Sequence, residues 1–348
     1  MVYLDNAATT VCKFLACSYD DVWGNANTPY QFGRDAKQTA DECRKRVKQC
    51  LGVKGGKVIF CSNASEAAKI LCDRLRRMDI IIRCCLYEHG SVFRLGDIFG
   101  YSFVHYIDNT AVFQQWVNPV TGIVFDIPGI RKGIGDDCFL CMDATAGIGK
   151  RYLTQSIVNS VDAIWFSGHK FHGPKTGGIL WVSDRLSEAL DLSDDSRNEY
   201  GLKPGTLDVP SFVATVYALE YAVANESNNI AHYQKLNNYL LKHFEQEEKT
   251  YRLVDFRLPI DGQICATELL NVGCNADALV QYLSSKSIYV GLAHSACSAD
   301  ADYRVTRDLG ILDRFAEQCI RVSFSEDSTF NDIDALVNGI KEFKEKFV

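Results

Sequence analysis

The sequence predicts an α/β protein: a mostly parallel central sheet flanked by helices, followed by a smaller α+β C-terminal domain. Three observations carry this. Short apolar runs alternate with segments of helical periodicity through the first two thirds of the chain, the pattern of parallel strands joined by helices. The runs near 58–61, 79–86, 111–117, 138–142 and 161–166 read as buried strands by their length and β-rich composition. Polar residues with chemical character recur where these runs give way to loops, the edge at which open α/β sheets bind ligands.

In chain order, residues 1–10 are a short apolar start that turns into Asp5-Asn6-Ala7-Ala8-Thr9-Thr10, small polar residues suited to a tight backbone close to a ligand. Trp23 to Pro29 is a loop by its turn residues. From Asp35 to Leu51 the pattern is helical, with Ala36, Ala40, Cys43, Val47 and Leu51 on one face, and Gly52 to Gly56 ends it. The strand Val58–Cys61 leads into Ser62-Asn63-Ala64-Ser65-Glu66, which opens a helix running toward Arg76. Asn63 with Glu66 fits a capping box. A strand, a polar turn and a helix start also make an anion site, favouring a phosphate; an ordinary N-cap uses the same residues.

The run from Asp79 to Leu86 is followed by His89, just past a strand end. Strands are expected at 101–107 and 111–117, the second entering the turn Asn118-Pro119-Val120-Thr121-Gly122. The strand 138–142 ends on Asp143, a carboxylate that is costly to bury unless it meets a cation or donor. Val161–Phe166 leads into Ser167-Gly168-His169-Lys170-Phe171-His172-Gly173-Pro174-Lys175, and Gly178–Val182 is the next strand. Lys170 is placed for an imine-forming amine, whose lone pair partial burial and nearby positive charge would free; as a residue type it fits a solvated turn equally well. Ser65, His89, Asn118, Asp143, His169 and Lys170 share one kind of position, a strand-to-loop boundary.

A loop at 202–208 precedes a helix from Val209 to Glu220 and another from Ala231 to Glu248. The C-terminal part is expected to hold strands near 251–257, 268–272 and 319–324 and helices near 276–286 and 329–347. Between them, Gly291 to Asp300 is a run of small residues around Cys297. Most other cysteines sit in apolar segments; Cys297 does not, and a small-residue loop leaves a thiol accessible. The domain division expected is 14–230 for the large domain, with 1–13 and 231–348 forming the small one.

Composition excludes several classes. A net charge of -7 gives no general attraction to nucleic acid or anionic lipid. Fourteen cysteines are scattered rather than arranged as a secreted disulfide framework, so reduced thiols in a cytoplasm are expected. No apolar run approaches the roughly 20 residues of a membrane helix. Cys138 and Cys141 have CxxC spacing but lie in an apolar strand with no second pair, which favours core packing over a metal site.

Ten motifs then occur in the order and rough spacing of one enzyme group: YLDNAATT at 3–10, Gly24-Asn25, SNASE at 62–66, EHGSV at 88–92, VNPVTG at 117–122, MDATAG at 142–147, SGHKFHGPK at 167–175, KPGT at 203–206, HSACS at 294–298 and CIRVSF at 319–324. Over nearly its whole length the chain resembles the cysteine desulfurases of the NifS/IscS type. These belong to the class V aminotransferase group of fold-type I enzymes, which use pyridoxal 5'-phosphate. The resemblance implies that Lys170 holds the cofactor as a Schiff base and moves the substrate Cα proton. Asp143 would pair with the pyridinium nitrogen, His89 stack over the ring as an acid–base partner, and Asn118 lie beside the cofactor. Ala64, Ser65, Ser167 and His169 would cradle the phosphate. Thr206 would complete that cradle from the neighbouring subunit of a homodimer. Arg321 would grip the substrate carboxylate, with Asn118 and Asn6 assisting. Cys297 would take sulfur from L-cysteine as a persulfide, leave L-alanine, and hand the sulfur to an acceptor protein for iron–sulfur cluster assembly or tRNA thiolation.

The chain departs from the pattern in places. Ala146 stands where the group has a glutamine donating to the cofactor's phenolic oxygen. Asn63 replaces the usual glycine of the phosphate turn, and Lys203 the usual arginine before the Pro-Gly-Thr segment. A short, divergent member is implied. Selenocysteine lyase or cystine C–S lyase chemistry on the same scaffold, or a degenerate cofactor-binding partner protein, are the alternatives.

Overall fold

The computed structural model describes residues 1–14, 22–85, 88–95, 97–99, 109–193, 198–244, 260–294, 303–308 and 310–348. The strands expected at 101–107 and 251–257, and Cys297, lie outside these residues. In order, the elements are β1 (Val2–Tyr3), α1 (Gln31–Leu51), β2 (Lys57–Cys61), α2 (Ala64–Arg77), β3 (Ile81–Cys85), α3 (Gly90–Phe93), β4 (Asp97–Phe99), β5 (Thr110–Gln115) and β6 (Ile123–Phe125). Next come α4 (Ile127–Ile134), β7 (Phe139–Asp143), α5 (Gln155–Asn159), β8 (Ala163–Ser167), β9 (Gly178–Val182), α6 (Asp184–Ala189), α7 (Val209–Ala224) and α8 (Glu226–Phe244). The rest are β10 (Ile260–Gln263), β11 (Thr267–Asn271), α9 (Ala276–Ser285), β12 (Ile288–Tyr289), β13 (Gly291–Leu292), α10 (Arg304–Asp308), α11 (Asp313–Ala316), β14 (Cys319–Ser323) and α12 (Phe330–Phe347).

Seven described strands form the main sheet in the order β2-β9-β8-β7-β5-β3-β4. Pairing is parallel from β8 to β4, and β9 runs antiparallel to both of its neighbours. β2, β3, β5, β7 and β8 therefore all end at one edge. Side chains alternate strictly between two apolar layers: Val58, Phe60, Leu140, Met142, Ile164 and Phe166 point into one, and Ile59, Cys61, Phe139, Cys141, Ala163 and Trp165 into the other. Both faces are covered, so the strands tolerate apolar residues at every position. Cys138 and Cys141 fall in opposite layers, which settles them as packing residues. Among the described residues no cluster of side chains could hold a metal ion.

α1 buries the expected face of Ala36, Ala40, Cys43, Val47 and Leu51, with Gly33 added. It starts at Gln31, four residues before the expected Asp35. The extra turn packs through Gly33, where a Cβ would lie 2.1 Å from Thr28 Oγ1, so no apolar side chain announced it. Gly52, at φ 68°, closes the helix in the left-handed conformation. α8 likewise begins at Glu226 rather than Ala231, because its first turn carries only polar residues and one residue, Asn225, separates it from α7.

The C-terminal strands build a second antiparallel sheet in the order β11-β14-β13. The small-residue run from Gly291 therefore begins as a strand, Gly291 pairing with Arg321. The amino-terminal segment crosses between the sheets. β1 pairs in parallel with β12, Asp5 bridges to Ser323, and further on Thr10 N–H donates to the His169 carbonyl at 2.8 Å. One apolar layer continues from α1 and the main sheet into α9, β14 and α12.

Candidate active site

The edge at which the parallel strands end gathers the predicted residues. β7 delivers Asp143 at its last position, buried among apolar neighbours. Its Oδ1 accepts from Thr145 N–H at 2.8 Å. Burial pushes its pKa up, against the Thr145 hydrogen bonds and the neighbouring His89 and Lys170. A carboxylate so placed is stabilised by any cation brought to it. His89 caps α3. Its Nδ1 accepts from Ser91 N–H at 3.3 Å, which leaves the proton of a neutral ring on Nε2. Burial lowers the pKa of His89, Lys170 and Arg304 lower it further, and Asp143 opposes them. His89, Asp143 and Lys170 thus act on one another electrostatically. Glu88, fully buried beside them, has its carboxyl raised well above the usual range by burial and then by Asp143.

Lys170 follows the last turn after β8. Its Nζ donates to the carbonyls of Ala7 and Ala8 at 2.5 and 2.8 Å, so the amino-terminal segment forms the floor on which the amine rests. Lys150 donates from behind to the Lys170 carbonyl at 3.2 Å. Burial pulls the Lys150 ammonium down to about 8, with Glu326 opposing. His169 Nδ1 lies 3.1 Å from Thr9 Oγ1, and burial followed by Lys170, Lys150 and Lys175 takes its pKa to about 4.

The phosphate end is built where β2 meets α2. Asn63 Oδ1 accepts from Glu66 N–H at 2.9 Å, as a cap should. The reciprocal half of the expected capping box goes one residue further back, to Ser62 N–H and Ser62 Oγ, and the same Glu66 carboxylate takes Lys203 at 3.0 Å. Lys203 is thereby fixed beside the turn. Gly178 of β9 makes the turn possible: a Cβ there would lie 2.6 Å from the Asn63 backbone. Ala64 and Ser65, at the first two helical positions, point their backbone N–H groups outward past the cap. Ser167 pairs with Gly178 across the sheet, which sets it next to this turn. Thr206 is exposed within the chain.

The opposite end carries Arg321 and Asn118. Asn118 Oδ1 accepts from Val120 N–H, Thr121 N–H and Thr121 Oγ1 at 2.9 to 3.2 Å, so its amide can point only one way. Arg321 Nη1 donates to the Pro119 carbonyl at 3.4 Å, and Nη2 to Asp5 Oδ1 at 2.7 Å. Asn6 Nδ2 is committed to the backbone, donating to the Ser323 and Tyr3 carbonyls at 3.0 and 3.3 Å. Asp5, not singled out from the sequence, makes the contact to Arg321. Its partner is more than three hundred positions away, and no local pattern signals such a pair. Lys150 and Glu88 were missed for a similar reason, since each is defined by what the fold packs around it.

The residues present fit pyridoxal 5'-phosphate. The described buried side-chain atoms that lack a hydrogen-bond partner, which such atoms ordinarily find, include Ser167 Oγ beside the β2–α2 turn, and Asn118 Nδ2 and Arg321 Nε at the opposite end. Ser167 and the α2 amides match a phosphate, Asn118 a polar substituent, Arg321 a carboxylate, and the buried Asp143 a ring cation. Position 146, where a glutamine donor would stand, is a half-buried alanine packed against the main apolar layer.

The chain is similar over nearly its whole length to known proteins. The model of the aminotransferase class-V family matches residues 2–84 and 105–336. The cysteine desulfurase IscS of Buchnera aphidicola subsp. Schizaphis graminum is 29% identical over 97% of this chain and 91% of its own. That of Klebsiella pneumoniae is 25% identical, over 98% and 92%. Among solved structures, a NifS-like protein superimposes with a TM-score of 0.81 at 22% identity, covering 99% of both chains. A NifS-like protein from Rickettsia africae gives 0.80 at 20% identity. The structural likeness establishes the fold, and the family match, which covers most of the chain and the residues just described other than Glu88, His89 and Ser91, establishes the lineage: the chain belongs to the aminotransferase class-V family.

Proposed function

We propose that the protein is a cysteine desulfurase, converting L-cysteine to L-alanine and carrying the sulfur away as a persulfide on Cys297. The observation that carries this is a lysine held by two backbone carbonyls and a buried aspartate where the main sheet's strands end, linked through residues 5–8 and Pro119 to an arginine–asparagine pair with unspent donors. Full-length similarity to proteins named cysteine desulfurase supports it.

Pyridoxal 5'-phosphate, when bound, supplies the electron sink that makes the Cα–H and Cβ–S bonds of cysteine labile. The chain supplies the rest. Lys170 is the covalent anchor and carries the Cα proton. Asp143, ionised once a ring cation lies against it, keeps that cation protonated. The α2 amides, Ser65 and Ser167 hold the phosphate, with His169 neutral at physiological pH. Arg321 and Asn118 hold the substrate carboxylate. His89, neutral with its proton on Nε2, lies where it can exchange a proton with the reacting amino acid. The Cys297 thiolate attacks the substrate sulfur; the Cβ–S bond breaks, its electrons return to the carbon skeleton, and protonation of Cβ gives alanine. The enzyme keeps one sulfur atom as Cys–S–SH for a sulfur-acceptor protein. In this reading residues 14–230 supply the cofactor end, and residues 1–13 and 231–348 the carboxylate end and the thiol.

The reading includes a homodimer, in which the exposed Thr206 of each chain completes the phosphate site of the other, and a cytoplasmic location. Among the described residues no helix is long and apolar enough to cross a membrane.

A product assay tests the function. With L-cysteine and a reducing thiol, the wild type is expected to give alanine and sulfide in equal amounts. Lys170→Ala and Cys297→Ser are each expected to give less than about 1% of that rate, a loss typical of removing a nucleophile or base. Pyruvate formation that survives Cys297→Ser would show an elimination lyase and overturn the assignment.

A further inference from the structure

Arg321 is oriented by more than its own strand. It sits in the middle of β14, 4% exposed, with Asp5 Oδ1 at 2.7 Å from Nη2. Directly across the sheet is Gly291, paired with Arg321 in register. A Cβ at Gly291 would fall 2.6 Å from Asp5 Oδ1, 2.8 Å from Arg321 Nη2 and 2.9 Å from Arg321 Nε. The carboxylate and the guanidinium therefore share the volume that any side chain at position 291 would fill. The conformation of Gly291 is ordinary, so its requirement is for space and not for backbone freedom.

Asp5 is itself held firmly. Ser323 N–H donates to the Leu4 carbonyl at 2.7 Å, Asn6 Nδ2 donates to the Ser323 carbonyl, and Ala7 N–H donates to Ser323 Oγ at 2.8 Å. The Tyr3 hydroxyl donates to the Asp5 and Thr9 carbonyls at 3.1 and 2.7 Å. Each residue on either side of Asp5 is tied down, so its carboxylate has a fixed address. A guanidinium is a planar fork, and holding one nitrogen fixes the direction of the others. Asp5 holds Nη2 and the Pro119 carbonyl, next to Asn118, receives Nη1. A buried arginine with no counter-charge would turn toward whatever anion it could reach.

We infer that Asp5 is the positioning residue of the substrate arginine, and that Gly291 provides the space in which the pair forms, so that Arg321 presents a fixed edge to the carboxylate of an amino acid. This rests on the reading of Arg321 as the carboxylate-binding residue. Asp5 acts through Arg321 and does not touch the substrate. It shapes discrimination between amino acids and amines that lack the carboxylate.

The test is a binding titration of the cofactor-loaded protein, followed by the visible absorbance of the cofactor, with L-alanine and with ethylamine as probes. Neither requires sulfur chemistry. Wild type is expected to bind L-alanine far more tightly than ethylamine. Asp5→Asn is expected to weaken L-alanine at least tenfold and leave ethylamine unchanged. Gly291→Ala is expected to do the same, and the double variant to be no worse than the more affected single one, since both changes disturb one contact. Thermal melts of the cofactor-free variants check that each is folded. Unchanged L-alanine binding in Asp5→Asn would overturn the inference. So would equal weakening of both probes, which would mark Asp5 as a structural residue only. A wild type that does not prefer L-alanine to ethylamine would instead overturn the reading of Arg321 on which the inference stands.

Discussion

Glu326 shows how much one side chain can tie together. Its carboxylate meets His172 Nε2 at 2.7 Å and Lys13 Nζ at 2.8 Å, joining the segment before α12 to the lysine loop and to the amino-terminal segment. Burial raises its pKa, but the His172 and Lys13 hydrogen bonds outweigh burial and bring it to about 2. The folded value lies below the unfolded one of about 4.3, so the stabilisation is complete above the unfolded pKa and is lost as pH falls toward the folded one. Glu326→Gln is expected to lose about 2 kcal/mol at pH 7 and almost nothing near pH 2. Urea melts at the two pH values measure the difference. Residues such as Lys170, Asp143 and His89 were legible in the sequence because a charged or titratable side chain after an apolar strand is conspicuous. Glu326, Lys150 and Asp5 were not, because their environment is assembled from segments hundreds of residues apart.

At the scale of single elements, β9 does two jobs. It closes the sheet between β2 and β8, and through Gly178 it lets the Asn63 turn lie flat against it. Gly178→Ala forces the turn outward. It is expected to cost about 1–3 kcal/mol, as overpacking does, and to weaken cofactor retention more than any surface alanine substitution, which equilibrium dialysis of the cofactor would show. Helices and strands with a dense apolar pattern were read within a residue or two: α2, α9, α12, β9 and β11. The failures share a cause. The first turns of α1 and α8 carry no apolar side chain on the packed face, one using a glycine and the other polar residues, so periodicity had nothing to register. β13 is two residues of a small-residue run whose strand character comes entirely from its partner β14.

At the scale of the whole molecule, the fold class was readable because alternation of strand and helix is a global pattern that survives local errors. The antiparallel direction of β9 in the main sheet and the crossing of the amino-terminal segment were not, since neither leaves a periodicity. The exposed Thr206 carries the prediction at this scale. Light scattering is expected to give twice the chain mass, and Thr206→Ala to leave that mass unchanged while raising the cofactor dissociation constant about tenfold, near 1.4 kcal/mol. A monomer with full cofactor affinity would sink the shared-site arrangement.

The amino-terminal segment also has a consequence for how the protein is made. Residues 2–10 pair with β12, Ser323 and the lysine loop, and they supply the Ala7 and Ala8 carbonyls under Lys170 and the Asp5 carboxylate on Arg321. On the ribosome these residues emerge more than three hundred positions ahead of β14. The main sheet can close early, but the site cannot. Ribosome-stalled chains ending before residue 319 are expected to protect the main sheet from protease and yet take up no cofactor, so that loading with cofactor waits until β14 has been made.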